Sequence, residues 1–477
     1  MSTARPEILS KGCPFHGTNG IAFGPDGTLY WADFAGGYVG KRTVDGAVST
    51  LGTVGMGVDA ICVSPDGRVF SGQCFAGRKF YEFDPAGLEE PRLIVDPGPR
   101  GDFNGTAWGA DGKIYGPQWF LGNVSTIDPE SGAIEVVASG FGTPTAVKFD
   151  SRGRLHVLDQ LTGEVFRLDL ATGDRTVVGR TAQGVDNLAF DADDRLYVSS
   201  ADDGFIVEVL SPDVNRTVVP GGICAPCGLT FVPETGTLFL ADGFALREFD
   251  PDTGAELSVA RTVLGFTELG GVMSAQWDGE HLLLASWSDG VVKIWDAARQ
   301  VAVSVIDDLK APIDAAPFGD AVAVTEYGTG SVLLIDPANP AERTVLASGL
   351  REPAGLASRG GSLYVTDRAT GTVLQVAADG TPLAEPRVLA SDLVGPEGIA
   401  ACDSLYVVEA DAGRVARIDP GAGTVAVVVE GLEPTVPALG PIPSTFMFNG
   451  IAIDETGDRR RLFVTGDRSN QIYRIEL

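Results

Sequence analysis

The chain consists of short stretches of alternating apolar and polar residues, separated by turns rich in glycine, aspartate and proline. The segment NGIAFGPDGTLYWAD (19–33) is the first example, with an apolar stretch, a Pro-Asp-Gly turn and a second apolar stretch. Alternation with a period of two predicts half-buried strands. Because no stretch shows the 3.6-residue period of an amphipathic helix, we expect an all-β protein.

The same unit recurs along the whole chain. Ten further versions begin near residues 58, 103, 144, 185, 226, 273, 313, 353, 396 and 448. A third strand such as VFRLDL (165–170) and a fourth, often valine-rich strand complete each unit. Four short strands per repeat are typical of a β-propeller blade, and blades must stack around an axis because one blade cannot bury both faces alone.

Eleven blades exceed the size of ordinary propeller rings, so the sequence predicts two tandem propellers, with one large ring as the alternative. A longer interval between the sixth and seventh units favours six blades in 1–255 and five in 256–477. PEILS (6–10) would then complete the sixth blade, and ELSVARTVL (256–264) the eleventh. A division into five plus six blades is the other possibility. The proline-rich segment 430–448 is interpreted as a loop over one face.

One polar position precedes the innermost strand of each blade and is expected to face the propeller axis. Along the chain this position carries Asn19, Asp59, Asn104, Thr145, Asp186, Cys227, Ser274, Asp314, Ala354, Glu397 and Asn449. Oxygen ligands that converge on one point suit a hard cation, Ca²⁺ first and Mg²⁺ second. The alternative is that these residues satisfy local backbone groups around a water-filled axis.

The residues after the second strand should lie around the same axial mouth. In the first blades they include Phe34, Phe75, Trp119 and Phe120, which would form a mostly apolar substrate pocket beside the axis. Packing between blades is the alternative role for these aromatic side chains. Cys227 belongs to a CxxC motif with Cys224 and is a further candidate for contact with substrate, although no βαβ context supports redox chemistry.

The chain has three histidines, so a His-rich zinc site is excluded. His16 lies just before Asn19 and is a candidate for catalysis. His156 alternates within the strand RLHVLD and is predicted to be packed. Sequence motifs for a Ser-His-Asp triad or a phosphate-binding loop are absent.

The formal net charge of −29 argues against nucleic acid or an anionic membrane as a partner. Much of this charge comes from aspartates in turns, such as Asp26, Asp128 and Asp250. The N-terminus lacks the apolar run of a secretory signal, and no segment has about 20 uninterrupted apolar residues. We therefore expect a cytoplasmic protein that acts on a small molecule.

The segments NGIAFGPDGTLYWAD (19–33) and PEGIAACDSLYVVEADAGRVARID (396–419) resemble gluconolactonase (regucalcin)-like and NHL-repeat propellers. The resemblance implies an axial divalent cation (Ca²⁺, Mg²⁺ or Mn²⁺) held by one Glu, several Asn and one Asp, and hydrolysis of a strained ester. Asn19, Asn104 and Asp186 match the Asn and Asp ligands. The matching Glu occurs only as Glu397, which with Asn449 forms a competing half-site.

The implied reaction is metal-assisted hydrolysis of a lactone or ester, in which Asp186 or Asp59 removes a proton from water. A second possibility is a cofactor-independent lyase or cyclase of secondary metabolism that uses the same pocket. A third is a non-catalytic scaffold for protein interactions, because a propeller fold alone does not determine activity.

Overall fold

The computed structural model describes residues 6–11, 18–34, 37–55, 57–74, 77–191, 193–262, 267–433, 448–457, 460–466 and 470–477. In these ranges the chain forms eleven four-stranded antiparallel sheets and three 3₁₀ helices, Trp119–Leu121, Tyr327–Thr329 and Ala410–Ala412. The all-β class and the repeated four-stranded blade are therefore confirmed. Across the same ranges, no helix has the length and apolar character needed to cross a membrane.

Chain contacts divide the protein into two compact units. The five-bladed unit is Phe15–Gly222, and the six-bladed unit combines Met1–Pro14 with Ile223–Leu477. The blades are numbered 1 to 11 in chain order, so blades 1 to 5 form the first unit and blades 6 to 11 form the second.

The five-bladed unit contains twenty strands in the described ranges. Blades 1 and 2 are β2 (Thr18–Phe23), β3 (Leu29–Asp33), β4 (Tyr38–Arg42), β5 (Val48–Thr53), β6 (Cys62–Val63), β7 (Val69–Gly72), β8 (Phe80–Phe83) and β9 (Arg92–Val95). Blades 3 and 4 are β10 (Ala107–Trp108), β11 (Ile114–Gln118), β12 (Asn123–Ile127), β13 (Ile134–Ser139), β14 (Pro144–Phe149), β15 (Leu155–Asp159), β16 (Glu164–Leu168) and β17 (Arg175–Arg180). Blade 5 is β18 (Val185–Phe190), β19 (Leu196–Ser200), β20 (Ile206–Ser211) and β21 (Val214–Val219).

The six-bladed unit contains the other strands of the described chain. Blades 6 and 7 are β22 (Leu229–Val232), β23 (Thr237–Ala241), β24 (Ala245–Phe249), β25 (Glu256–Arg261), β26 (Ser274–Trp277), β27 (Leu282–Ser286), β28 (Val291–Asp296) and β29 (Val301–Ile306). Blades 8 and 9 are β30 (Pro312–Phe318), β31 (Ala321–Glu326), β32 (Ser331–Ile335), β33 (Arg343–Ala347), β34 (Pro353–Arg359), β35 (Ser362–Asp367), β36 (Thr372–Ala378) and β37 (Thr381–Ala390). Blades 10 and 11 are β38 (Pro396–Ala401), β39 (Leu405–Glu409), β40 (Arg414–Ile418), β41 (Val425–Glu430), β42 (Ile451–Asp454), β43 (Arg461–Gly466), β44 (Gln471–Glu476) and β1 (Glu7–Lys11).

The pairing of two strands differs from the prediction. β1 pairs with β44 and so completes blade 11, whereas β25 pairs with β24 inside blade 6. The predicted exchange of these strands is wrong, and the units contain five and six blades instead of six and five. The long interval before β26 lies within one unit, so its length does not mark a boundary.

Hydrogen bonds between the first and last blades close each ring. In the five-bladed unit, Asn187 Nδ2 of blade 5 donates to Asn19 Oδ1 of blade 1 over 2.7 Å. In the six-bladed unit, the backbone N–H of Gly450 in blade 11 donates to the Cys227 carbonyl in blade 6 over 3.3 Å. Both contacts fit two rings and rule out one ring of eleven blades.

The core lies between the faces of successive blades. Phe70 and Phe80 of blade 2, for example, pack with Phe103 and Ile114 in the blade 3 region. Buried hydroxyl groups add polar links between blades. Thr366 Oγ1 of blade 9 donates to the Glu397 carbonyl next to blade 10 over 2.7 Å. These links hold the innermost strands at fixed positions around the axis.

A glycine follows the axial position in six of the repeats because the inner strands approach each other closely. A Cβ atom at Gly20 would overlap the backbone of Asp59 in the next blade, and one at Gly450 would overlap the backbone of Gly228. The recurring Asn-Gly pairs therefore place the axial side chain where two blades touch, without a side chain between the two backbones.

The turn aspartates behave as the composition predicts. Asp128 accepts hydrogen bonds from the backbone N–H groups of Glu130 and Ser131, and Asp250 accepts from those of Asp252 and Thr253. These hydrogen bonds lower the pKa of both carboxyl groups. This part of the negative charge thus has a structural origin.

Candidate functional site

The five-bladed unit brings its axial residues together. We use the name axial cluster for Asn19, Asp59, Asn104, Thr145 and Asp186, one residue from each blade. Asn104 Nδ2 donates to Asp186 Oδ1 over 3.1 Å, although the two residues are 82 positions apart. All are buried except Asn19, which is half-buried. The repeat alignment therefore locates a real convergence of polar side chains.

The two carboxyl groups of the axial cluster interact strongly. Burial raises the pKa of Asp186 to about 6, while hydrogen bonds with Asn104, Asn19 and Asn187 act in the opposite direction. Burial and the negative charge of Asp186 raise the pKa of Asp59 well above its ordinary value. A low-dielectric site with two acidic groups disfavours the second negative charge unless a cation balances it.

Two side-chain oxygens of the axial cluster have no hydrogen-bond partner in the described part of the chain. They are Asp59 Oδ1 and Thr145 Oγ1, and both residues are almost completely buried. Leaving a buried polar atom unpaired costs about 1–3 kcal/mol, so such atoms normally contact water or an ion. The cluster is therefore suited to bind a small polar species.

The chemistry of the cluster fits a hard divalent cation. Its polar atoms are carboxylate, amide and hydroxyl oxygens, which are the ligands that Ca²⁺ and Mg²⁺ prefer. With two carboxylates the cluster is less acidic than a dedicated metal cage, and no group of three or more His, Cys, Asp or Glu side chains suited to a metal occurs among the described residues. Amide and hydroxyl oxygens would have to supply the remaining ligands.

The acidic residues after the second strands have a different, structural role. Asp159 accepts hydrogen bonds from the backbone N–H groups of Gly142 and Thr143, and Asp367 does the same for Arg351 and Glu352. Each carboxylate thereby fixes the loop that leads into the innermost strand of its own blade. These acids hold the mouth in shape and are occupied by backbone contacts.

The predicted aromatic residues divide into two groups. Trp119 is 1% exposed, and its ring centroid lies 4.5 Å from that of Phe120, which is half-buried. Phe34 is also half-buried. The burial of Trp119 favours the packing alternative for this residue, whereas Phe34 and Phe120 keep part of their surface accessible. Phe75 and the candidate base His16 lie outside the described residues, as does most of the proline-rich segment 430–448.

The six-bladed unit also brings together Glu397 and Asn449. Glu397 Oε2 accepts hydrogen bonds from Asn449 Nδ2 over 2.8 Å and from the Asn449 backbone over 2.9 Å. Arg368 Nε donates to Glu397 Oε1 over 2.9 Å. Because a guanidinium already neutralises this carboxylate, the arrangement favours a structural ion pair over a cation site.

The axis of the six-bladed unit offers little space where the structure describes it. A cavity of about 10 Å³ is lined by residues that include Asp314, Gln276 and Phe448, which is room for one water at most. Burial raises the pKa of Asp314 to about 6. Cys227 is buried, and its Sγ lies 3.9 Å from the sulfur of Met273. Among the described residues, Cys227 thus has no accessible surface for a substrate contact.

Two contributors to these sites were not singled out from the sequence. Asn187 follows the axial position by one residue yet reaches the blade 1 residue Asn19. Arg368 neutralises Glu397 from the neighbouring blade. The Asp-Asn pair in VDNLAF was the available signal for Asn187, whereas the Arg368 contact depends on how adjacent blades stack.

Fold and site together define a β-propeller protein with an acid–amide centre on the axis of its five-bladed unit. No family model matches the chain, and no curated protein matches it either. The comparisons therefore assign the chain to no specific family.

Solved structures match the chain at low identity. The calcium-binding protein regucalcin from Agrobacterium tumefaciens is 18% identical, with a TM-score of 0.40 over 53% of this chain and 90% of that one. Virginiamycin B lyase from Staphylococcus aureus is 15% identical, with a TM-score of 0.35 over 59% and 94%. The extracellular domain of a hybrid two-component system from B. thetaiotaomicron is 12% identical, with a TM-score of 0.35 over 96% and 69%. These identities and TM-scores are too low to support a function, so the function is argued from the residues of the site.

Proposed function

We propose that the five-bladed unit is a cation-dependent hydrolase of a small lactone or ester, with the axial cluster as its centre. The observation that supports this most is the pair of buried acids, Asp59 and Asp186, which raise each other's energy when both are charged. A protein gains nothing in stability from such a pair alone, because desolvation and repulsion both oppose it. A bound cation would balance both negative charges, so that the pair no longer destabilises the folded protein.

The residues that would hold the cation are Asp59 and Asp186, with the amide oxygens of Asn19 and Asn104. Each amide oxygen already accepts one hydrogen bond, from Asn187 Nδ2 and from the backbone N–H of the following glycine respectively, and would bind the cation through its second lone pair. When bound, a divalent cation supplies Lewis-acid polarisation of a carbonyl and lowers the pKa of water. We propose Ca²⁺ as the bound cation, with Mg²⁺ or Mn²⁺ as the alternatives. Half-buried Asn19 marks the side from which a small substrate would approach.

Asp186 is the proposed general base. Asn104 donates to its Oδ1 atom and so fixes the orientation of the carboxylate. The pKa of about 6 applies without a cation; a bound cation would lower it, so that the Asp186 carboxylate is charged and able to accept a proton at neutral pH. Asp59, with Oδ1 unpaired, is the second candidate for this role.

Replacing Asp186 by asparagine should lower lactone turnover about 100-fold or more, because general bases typically contribute 10²–10⁴-fold. The assay follows acid release from glucono-δ-lactone and a panel of smaller lactones, with Ca²⁺ present, and circular dichroism verifies folding. Asp213→Asn is the matched control, since Asp213 is an exposed aspartate of the same unit.

Equal turnover in wild type, Asp186→Asn and Asp59→Asn would contradict the proposed function. Mass spectrometry of the product separates the alternatives. Hydrolysis adds one water to the substrate, whereas a lyase or cyclase on the same centre would not.

A further inference from the structure

A second cleft lies in the five-bladed unit between blades 4 and 5. Its volume is about 360 Å³, and its lining contains no member of the axial cluster. Strands β15 and β16 form one wall with His156 and Arg167, and strands β18 to β20 form the other with Phe190, Leu196 and Glu208. The volume is within the range of small-molecule sites in proteins.

Most charged groups in this cleft already have a contact with another protein group: they form three ion pairs, and Asp194 is hydrogen-bonded to an uncharged donor. The contacts are Arg154 with Asp150 at 2.6 Å, Arg195 with Asp191 at 2.6 Å, Glu208 with Arg216, and Asp194 with the backbone N–H of Ser151 at 2.8 Å. These pairs account for the acids of the cleft and for two of its three arginines.

Arg167 is the exception. It lies on β16 opposite His156 of β15 and is half-buried, and its guanidinium has no hydrogen-bond or ion-pair partner within the described ranges. A guanidinium keeps its positive charge at every physiological pH and presents a planar fork that matches a carboxylate. The Arg167 guanidinium is therefore available to pair with a carboxylate that enters the cleft.

His156 does not add to this charge. Its Nδ1 lies 3.0 Å from the carbonyl oxygen of Arg154, and because a carbonyl only accepts, Nδ1 carries the proton. Burial lowers the pKa of His156, so the imidazole is neutral near pH 7. Its ring packs at 4.7 Å from that of Phe190, and Leu196, Val178 and Val209 extend this apolar surface.

We propose that this cleft binds a small organic monocarboxylate, whose carboxylate pairs with Arg167 and whose apolar body packs against Phe190 and Leu196. A single unpaired cation matches one negative charge better than the two charges of a phosphate. The apolar wall distinguishes the ligand from a bare inorganic anion. This inference is independent of the axial cluster and of the cation proposed there.

The experiment is isothermal titration of the full-length, chelator-treated protein with benzoate as the probe and benzamide as its uncharged analogue. Benzoate should bind saturably in the millimolar range or below, and benzamide much more weakly. Arg167→Met should weaken benzoate binding about 10- to 100-fold, the effect of losing a charged hydrogen-bond pair. Arg152→Met is the matched control, because Arg152 is an exposed arginine close to the cleft but outside its lining, and it should leave binding unchanged.

Val178→Trp supplies a second variant, which fills the apolar part of the cleft without changing its charge. It should abolish benzoate binding while circular dichroism stays unchanged. The proposal is overturned if wild type shows no saturable benzoate binding, if benzamide binds as well as benzoate, or if Arg167→Met and Arg152→Met behave alike. Tighter binding of inorganic phosphate than of benzoate would also overturn the assigned ligand class.

Discussion

Replacing Asp242 by alanine should destabilise the six-bladed unit by about 3–5 kcal/mol, the usual cost of breaking a buried ion pair from one side. Asp242 is completely buried and accepts a hydrogen bond from Arg247 Nε over 2.5 Å. Arg247 is itself 1% exposed, so the variant would deprive a buried guanidinium of its buried counter-charge, although Arg247 keeps its ion pair with the more exposed Glu256 at 2.8 Å. Asp242 also accepts from the backbone N–H groups of Cys224 and Ala225, which fixes the loop into blade 6.

Calorimetry and urea unfolding, followed separately for the two units, measure this loss. Asp213→Ala is the control, because Asp213 forms an exposed pair with Arg180 at 3.0 Å and should cost no more than about 1 kcal/mol. A loss below about 1 kcal/mol in Asp242→Ala would show that the buried pair does not carry the stability assigned to it.

The second large effect concerns the acid pair of the five-bladed unit. Without a cation, Asp186 has a folded pKa of about 6 against 3.8 as the ordinary value, so the folded state binds more protons between these pH values. The contribution of protonated Asp186 to the stability of the folded state is thus fully present below about pH 4 and is lost as the pH rises through about 6. Across this pH range Asp186 lowers the free energy of unfolding by roughly 3 kcal/mol, and Asp59 acts in the same direction.

Asp186→Asn should remove this penalty, because asparagine carries no charge to desolvate. The chelator-treated variant should therefore be more stable than wild type at about pH 7.5 and nearly equal to it at about pH 4. The readout is the difference between the two proteins across the pH range, since turn aspartates such as Asp128 have lowered pKa values and shift stability in the opposite sense. A difference that does not change with pH would contradict the assigned titration.

The blade repeat and the axial cluster were predictable from sequence for one physical reason. A repeat places equivalent residues at equivalent distances from the axis, so aligning NGIAF with FNGTAW and VDNLAF brings Asn19, Asn104 and Asp186 to one point. The close approach of inner strands at Gly20 makes this alignment visible in the sequence. The site followed from position within the repeat, without a catalytic motif.

Other features depend on contacts that the repeat does not encode. The alternation in PEILS is the same whichever blade it joins, so its pairing with β44 was not predictable. Glu397 has the residue type of a cation ligand, yet Arg368 of the adjacent blade neutralises it. The unpaired state of Arg167 became visible only once the partners of its neighbours were known.

The central claim is that the axial cluster of the five-bladed unit binds a divalent cation. The most direct test is the calorimetric Tm of chelator-treated protein at about pH 7.5, titrated with Ca²⁺, for wild type and Asp59→Asn. Cation at about 100 times its Kd should stabilise wild type by roughly 2.7 kcal/mol and raise the Tm of one unit by several degrees, with no shift in Asp59→Asn. If Ca²⁺, Mg²⁺, Mn²⁺ and Zn²⁺ all leave the wild-type Tm unchanged, or raise that of the variant equally, the axial cluster is not a cation site.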